Sequence, residues 1–127
     1  GEVQLMFGSL PGSIVQIRAG RIRAIAVTSA KRSKAAPDIP TVAESGVPGY
    51  EASSWFAFLA PVATPKSIVT KLNTVAMKAL ETREIQESLL RNGMDPRGST
   101  PGEADAFLRA EIAKWKRVAK EAGIRAE

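Results

Sequence analysis

The chain has 127 residues, 44% of them hydrophobic and 24% charged, with a formal net charge of +5: the composition of one globular domain or of a piece of a larger one. It contains neither Cys nor His, which removes thiolate and imidazole nucleophiles, a Ser-His-Asp relay, disulfides and zinc sites of the usual ligand types. No apolar run approaches the roughly 18 residues of a spanning helix, and the longest, Trp55 to Ala63, is interrupted by Pro61.

The basic excess does not point to nucleic acid, because it is spread thinly. Residues 1 to 63 hold six basic and four acidic groups, and residues 64 to 127 hold twelve and nine. Lys31, Arg32 and Lys34 form the one cluster, which reads as a solvated loop. The chain begins at Gly1 and its apolar pattern starts by the third residue, so it is expected to be a piece of a longer protein.

In chain order, Val3 to Phe7 is a short apolar run with Gln4 as its polar interruption, predicting a mostly buried strand. Gly8, Ser9, Pro11 and Gly12 break it. Ser13 is placed as the cap of a short helix with Ile14 and Ile17 inward, ending at Arg18 with Gly20 beyond. Ile22 to Thr28, dense in β-branched residues, is the next predicted strand. Strand, helix, strand implies a parallel pair with a right-handed crossover. Ser29 to Tyr50 is connector, with a helical turn from Thr41 to Ser45 that Thr41 and Glu44 cap and Gly46 stops. Ser54 to Ala60 is predicted as a strand covered on both faces, since Trp55, Phe56, Phe58 and Leu59 are bulky on both sides.

The rest is helical. Thr64 and Pro65 start one helix, with Ile68, Val69, Leu72, Val75, Ala76, Ala79 and Leu80 on one face. A second runs from about Thr82 to Asn92, with Gly93 past its end. A third opens on Thr100, Pro101, Gly102 and Glu103, a capping box with proline in the first turn, and closes at Gly123. Its apolar face, including Phe107, Ile112 and Trp115, is expected in the core.

Motifs that carry chemistry are scarce. There is no phosphate loop, dinucleotide fingerprint or nucleophile elbow. Glu44 and Glu51 read as a capping residue and a solvated acid rather than an acid-base pair. The turn Phe7, Gly8, Ser9 lies between the end of a predicted strand and a helix start, where open α/β sheets bind ligands and backbone N–H groups can face an anion. An ordinary tight turn explains the same residues, and both readings stand at this point.

Five blocks in order, GEVQLMF, AGRIRAIAVTSAKRS, PDIPTVAESGVPGYEASSWFAFLAP, TPKSIVTKLN and STPGEADAFLRAEIAKWKRV, resemble the C-terminal portion of the solute receptors of tripartite tricarboxylate transporters, the Bug receptors. Gln4 stands where the family commonly has Asp, and Ala57 where it has Gly. The resemblance implies an α/β, periplasmic type II solute-binding fold, here a fragment covering part of the second lobe and the C-terminal helices of the first. It assigns residues 1 to 50 to lobe 2, and residues 51 to 127 to the return crossing strand and the lobe 1 helices. It also implies a non-enzymatic protein without cofactor or metal that captures a small carboxylate, whether a di- or tricarboxylate, an acidic amino acid or an aromatic acid. The partner implied is the membrane permease; the alternative is a sensing module that presents the acid to a signalling partner. The ligand-binding residues expected in this chain are Phe7, Gly8 and Ser9, with Thr28 and Ser29 at the end of the next strand. With both faces of its strands apolar, the fragment is expected to self-associate.

Overall fold

A computed structural model of the chain describes residues 2–124. Its regular elements there are four helices: α1 (Leu10–Arg18), α2 (Lys66–Glu81), α3 (Arg83–Arg91) and α4 (Pro101–Glu121). Each corresponds to a predicted helix, with shifts at the starts. Ser9, not Ser13, caps α1: its backbone is extended and its hydroxyl accepts the Gly12 N–H at 3.4 Å. Pro11 in the first turn is the reason, since proline fits where an amide hydrogen would have no helical partner. Helix α2 begins at Lys66, one residue beyond Pro65, whose carbonyl accepts the N–H groups of Ile68 and Val69.

The caps of α4 are those the sequence specifies. Thr100 Oγ1 accepts the Glu103 N–H at 3.2 Å, and the Glu103 carboxylate accepts the Thr100 N–H at 2.8 Å. At the other end the Gly123 N–H reaches Lys120 O and the Ile124 N–H reaches Ala119 O. The same two-bond closure ends α1 through Gly20 and Arg21, and α3 through Gly93 and Met94.

The three predicted strands do not form. No β-ladder includes residues 3–7, 22–26 or 51–60, and the bridge described is a single parallel one between Val27 and Thr41. The Val27 N–H donates to Pro40 O at 2.8 Å and the Val42 N–H donates to Val27 O at 2.9 Å. The physical reason is that a strand is a property of a pair. An apolar run marks a segment suited to a ladder, but the ladder needs a second backbone alongside, and Val27 finds the connector rather than residues 3–7. The covered aromatic strand is corrected too: Phe56 and Phe58 are 83% and 100% exposed.

The described structure divides into two compact units, and compaction does not follow chain order. The first joins residues up to Leu59 with Leu80–Arg97, so it holds α1, the connector and α3; the second joins Ala60–Ala79 with residues from Gly98 on, and so holds most of α2 and all of α4. In the first unit Ile14 is buried at 2% exposure, with Thr41 and Ser33 the buried polar side chains. Helix α3 is held there by Arg18, whose guanidinium donates to Arg91 O at 2.8 Å and to Leu90 O at 3.5 Å. A cation thus sits on carbonyls that end α3, where the helix dipole is negative. Asp95 completes the tie by accepting the Lys34 N–H at 2.8 Å.

In the second unit Asn73 Nδ2 donates to Ser99 O at 2.8 Å, holding the approach to α4 against α2. The apolar stripes of both helices form at helical spacing, yet Leu72, Val75 and Ile112 remain exposed. Trp115, expected in the core, is 44% exposed. Its indole N–H donates to Glu111 at 3.0 Å, and Lys114 Nζ lies 5.4 Å from the ring centroid. Two helices cannot enclose stripes this wide, because covering an apolar face takes a further layer.

Gly93 carries a specific burden. Its φ is +75°, and a Cβ there would lie 3.1 Å from backbone atoms of Leu10 and Pro11. Gly93→Ala is expected to destabilise the chain by at least about 1–2 kcal/mol, the cost of a left-handed non-glycine residue, read as a lower urea midpoint of the helical circular dichroism signal. An unchanged midpoint would reject this account of the α3 terminus.

Candidate functional site

The site expected from the sequence begins with the turn before α1. Phe7 is 84% exposed and Gly8 and Ser9 are exposed beside it. At Gly8 an added Cβ would come within 2.6 Å of Met6 Cε and 3.1 Å of Ser13 Oγ, so the turn folds closely over the helix start. No acidic residue occupies the first turn of α1. A helix start of this kind carries the positive end of the dipole and outward N–H groups, and suits an anion.

Thr28 and Ser29 are tied elsewhere. Thr28 O accepts the Ala52 N–H at 2.9 Å, and Ser29 Oγ donates to Lys31 O at 2.7 Å. Both belong to the same compact unit as the Phe7–Ser9 turn, but none of the hydrogen bonds described here joins the two groups. A separate cleft of about 260 Å³ lies in this unit, lined by Ile14, Ile17, Ala36 and Ile39 with Arg18 and Asp38 among its polar residues. None of the five expected residues lines it.

The connector is built around Glu44. Thr41 and Glu44 cap each other, the Thr41 N–H donating to Glu44 Oε2 at 2.7 Å and the Glu44 N–H donating to Thr41 Oγ1 at 3.0 Å. Arg32 Nε reaches both carboxylate oxygens, at 3.2 and 3.0 Å, and its Nη1 donates to Pro37 O at 3.3 Å. The Thr41 backbone N–H, and then the Arg32 side chain, hold the Glu44 carboxyl below its ordinary value. It is thus an ionised anchor of the loop, the capping role expected of it, and Arg32 is its partner rather than part of a purely solvated cluster. Among the described residues no group of three His, Cys, Asp or Glu is placed to hold a metal, and no helix is long and apolar enough to cross a membrane.

Sequence reasoning missed Arg18 as the residue that ends α3. A basic residue in a last turn reads as a partner for its own helix dipole, and nothing in the spacing points to a helix more than seventy positions on. The Gly93 contact with Leu10 was hidden for the same reason.

A family profile described as tripartite tricarboxylate transporter family receptor, TctC, matches residues 1–124. The chain belongs to this family. Protein BugT of Bordetella pertussis is 35% identical over 125 residues, an alignment covering 98% of this chain and 38% of that protein. Among solved structures, a protein of R. palustris with adipate matches at TM-score 0.85 and 45% identity, covering 97% of this chain and 41% of its own. MatC from Rhodopseudomonas palustris with bound malate matches at TM-score 0.69 and 29% identity, over 86% of this chain and 38% of that one. The chain therefore has the α/β fold of a portion of the periplasmic binding proteins, and spans about two fifths of the length of BugT and of the adipate-bound protein. Among the described residues of this receptor-family chain, backbone segments pair at the one bridge between Val27 and Thr41.

The Glu44 anchor gives a signed pH dependence. A carboxyl with a depressed folded-state pKa stabilises above its ordinary value, 4.5, and loses that contribution as pH falls through the folded value. The gap in urea midpoint between the parent chain and Glu44→Ala should be full near neutral pH, and close only once pH drops below about 4.5. Because Arg32 and Glu44 are about half exposed, salt should narrow the gap. A gap unchanged down to about pH 3 would show that the carboxylate charge is not what holds the loop.

Proposed function

We propose that the chain is the C-terminal portion of a periplasmic, non-enzymatic solute receptor that captures a small carboxylate and delivers it to the membrane permease of a tripartite tricarboxylate-type transporter. Family membership supports the receptor role, and the observation that carries the ligand class is the match at 45% identity over 97% of the chain with a protein solved with adipate. The malate-bound relative points to the same chemistry, a short acid with two carboxylates. In this reading residues 1 to 50 belong to the second lobe. Residues 51 to 127 supply the return crossing strand and the C-terminal helices of the first. The remaining ligand contacts come from the part of the receptor that this chain does not span.

Within the chain, the Phe7–Ser9 turn is the element we assign to a ligand carboxylate. The N–H groups of Gly8, Ser9 and Leu10 would donate to it, Pro11 having none and that of Gly12 going to Ser9 Oγ; the helix dipole would favour its charge, and Gly8 would let the acid approach the main chain. Thr28 and Ser29 are secondary members from the following segment: Thr28 would offer its hydroxyl, and Ser29 would turn its hydroxyl from Lys31 O to the acid. Recognition through backbone groups accounts for a chain that binds acids yet shows no side-chain motif.

The test is a calorimetric titration of adipate, malate and citrate into a full-length receptor that ends in this chain, beside its Ser9→Trp variant. One of these acids should bind the parent, and the indole over the helix start should weaken that binding by at least tenfold, or about 1.4 kcal/mol. Equal affinity in the variant would remove the turn from the site. No binding of any carboxylate to the parent would overturn the receptor reading itself.

A further inference from the structure

The chain has two asparagines, Asn73 and Asn92, and Asn92 is followed by glycine. An asparagine-glycine pair is labile wherever its backbone can turn. The Gly93 nitrogen, with no Cβ beside it to hinder approach, can attack Asn92 Cγ, closing a five-membered succinimide and releasing the side-chain nitrogen as ammonia. Water then opens the ring at either carbonyl. The product is aspartate, or an isoaspartate whose main chain runs through the former side chain. Water is taken in, ammonia is given out, and no electron is transferred.

The fold holds each participant away from this reaction. Closing the ring requires Cβ and the Gly93 nitrogen to eclipse across the Asn92 Cα–C bond. Here ψ is 13°, which sets that nitrogen almost in line with the Asn92 nitrogen instead. The attacking amide is engaged, donating to Leu90 O at 3.1 Å, and the leaving Nδ2 donates to Ser88 O at 2.8 Å. Gly93 is buried against Leu10 and Pro11, so this peptide turns only if α3 parts from α1. Arg18 secures the same terminus: its guanidinium donates to Arg91 O and to Leu90 O, the acceptor of the Gly93 amide. Asn73, by contrast, lies inside α2 and precedes the β-branched Thr74.

We propose that Asn92–Gly93 is a self-modification site latched by the fold, with Arg18 as the latch. While Arg18 holds the last carbonyls of α3 the pair is inert, and each local opening of that terminus exposes it to conversion. The effect is one-way. Either product places a carboxylate at the negative end of the α3 dipole, where it is unfavourable. Isoaspartate also adds a carbon to the main chain where Gly93 meets Leu10 and Pro11. Conversion therefore loosens the tie between α3 and α1 that had prevented it. The inference stands apart from the ligand, since it concerns residues that the proposed carboxylate does not touch.

The experiment incubates a full-length receptor that ends in this chain for several weeks at neutral pH, both native and unfolded in guanidinium. Cleavage after lysine releases residues 79–114, in which Asn92 is the single asparagine. Mass spectrometry of that peptide, with an isoaspartate-specific methyltransferase, measures conversion. The native protein should convert at least about tenfold more slowly than the unfolded one, because it waits on local opening. Arg18→Met keeps an apolar stem without donors, and should speed native conversion at least about threefold, as the loss of one net hydrogen bond would. Arg18→Lys, with a point donor in place of the fork, should fall between. Arg109→Met, on α4 in the second unit, should leave the rate unchanged. Helical circular dichroism checks that each variant is folded, and Arg18→Lys decides if Arg18→Met is not. Equal native and unfolded rates, a native rate unmoved in the folded Arg18 variants, or equal acceleration by Arg109→Met would each overturn the proposal.

Discussion

Backbone hydrogen bonding in the first unit turns on Thr41. Its neighbours Pro40 and Val42 share both hydrogen bonds of the parallel bridge with Val27, its amide donates to Glu44, and its hydroxyl receives the amide of Glu44. A threonine this deeply buried would be a liability with any of those groups unmet, because an unpaired polar group out of water costs about 1–3 kcal/mol. With all of them met, one residue fixes where the Ile22–Thr28 segment runs and how the connector leaves it. Arg32 then locks the outer side of the same turn, and the Ala52 amide on Thr28 O carries the registration onward toward the aromatic segment.

A second set of ties explains why compaction ignores chain order. Arg18 belongs to α1 but satisfies carbonyls of α3, while Asp95, just past α3, receives an amide from the loop around Lys34. Thr82 alone stands between Glu81 and Arg83, yet α3 is compact with the first sixty residues, where polar groups at its terminus have their partners. Terminal carbonyls are obligatory acceptors, so the cation that reaches them decides which unit the helix joins.

How much of this was legible in the sequence follows from how local each signal is. Caps and stops were readable because they act over three to five residues: Thr100 with Glu103, Thr41 with Glu44, and Gly20, Gly93 and Gly123 after the helices. Ser9 was passed over in favour of Ser13, although Pro11 already marked the first turn. The strands failed for a different reason. Val3 to Phe7 and Ser54 to Ala60 have the composition of buried strands, but composition does not identify the neighbour that completes them. Trp115 failed likewise, since a helical stripe shows which face is apolar and not what covers it. The proposed carboxylate site leaves little trace in the sequence, because amides that could bind an acid belong to every residue type, and only their placement at a helix start distinguishes them.

The close approach of Gly93 to Leu10 and Pro11 has a consequence for altering ligand preference. The start of α1, where the proposed acid would rest, is propped from behind by a residue at the far end of another helix. Variation at Phe7, which neither caps α1 nor packs closely on it, could therefore reshape the mouth of the proposed site while its floor stays put, provided Ser9 still caps the helix and position 93 stays glycine. A larger residue at 93 would tilt that floor without touching any acid. A survey of only those residues near the proposed acid would overlook position 93, which sets the geometry beneath it.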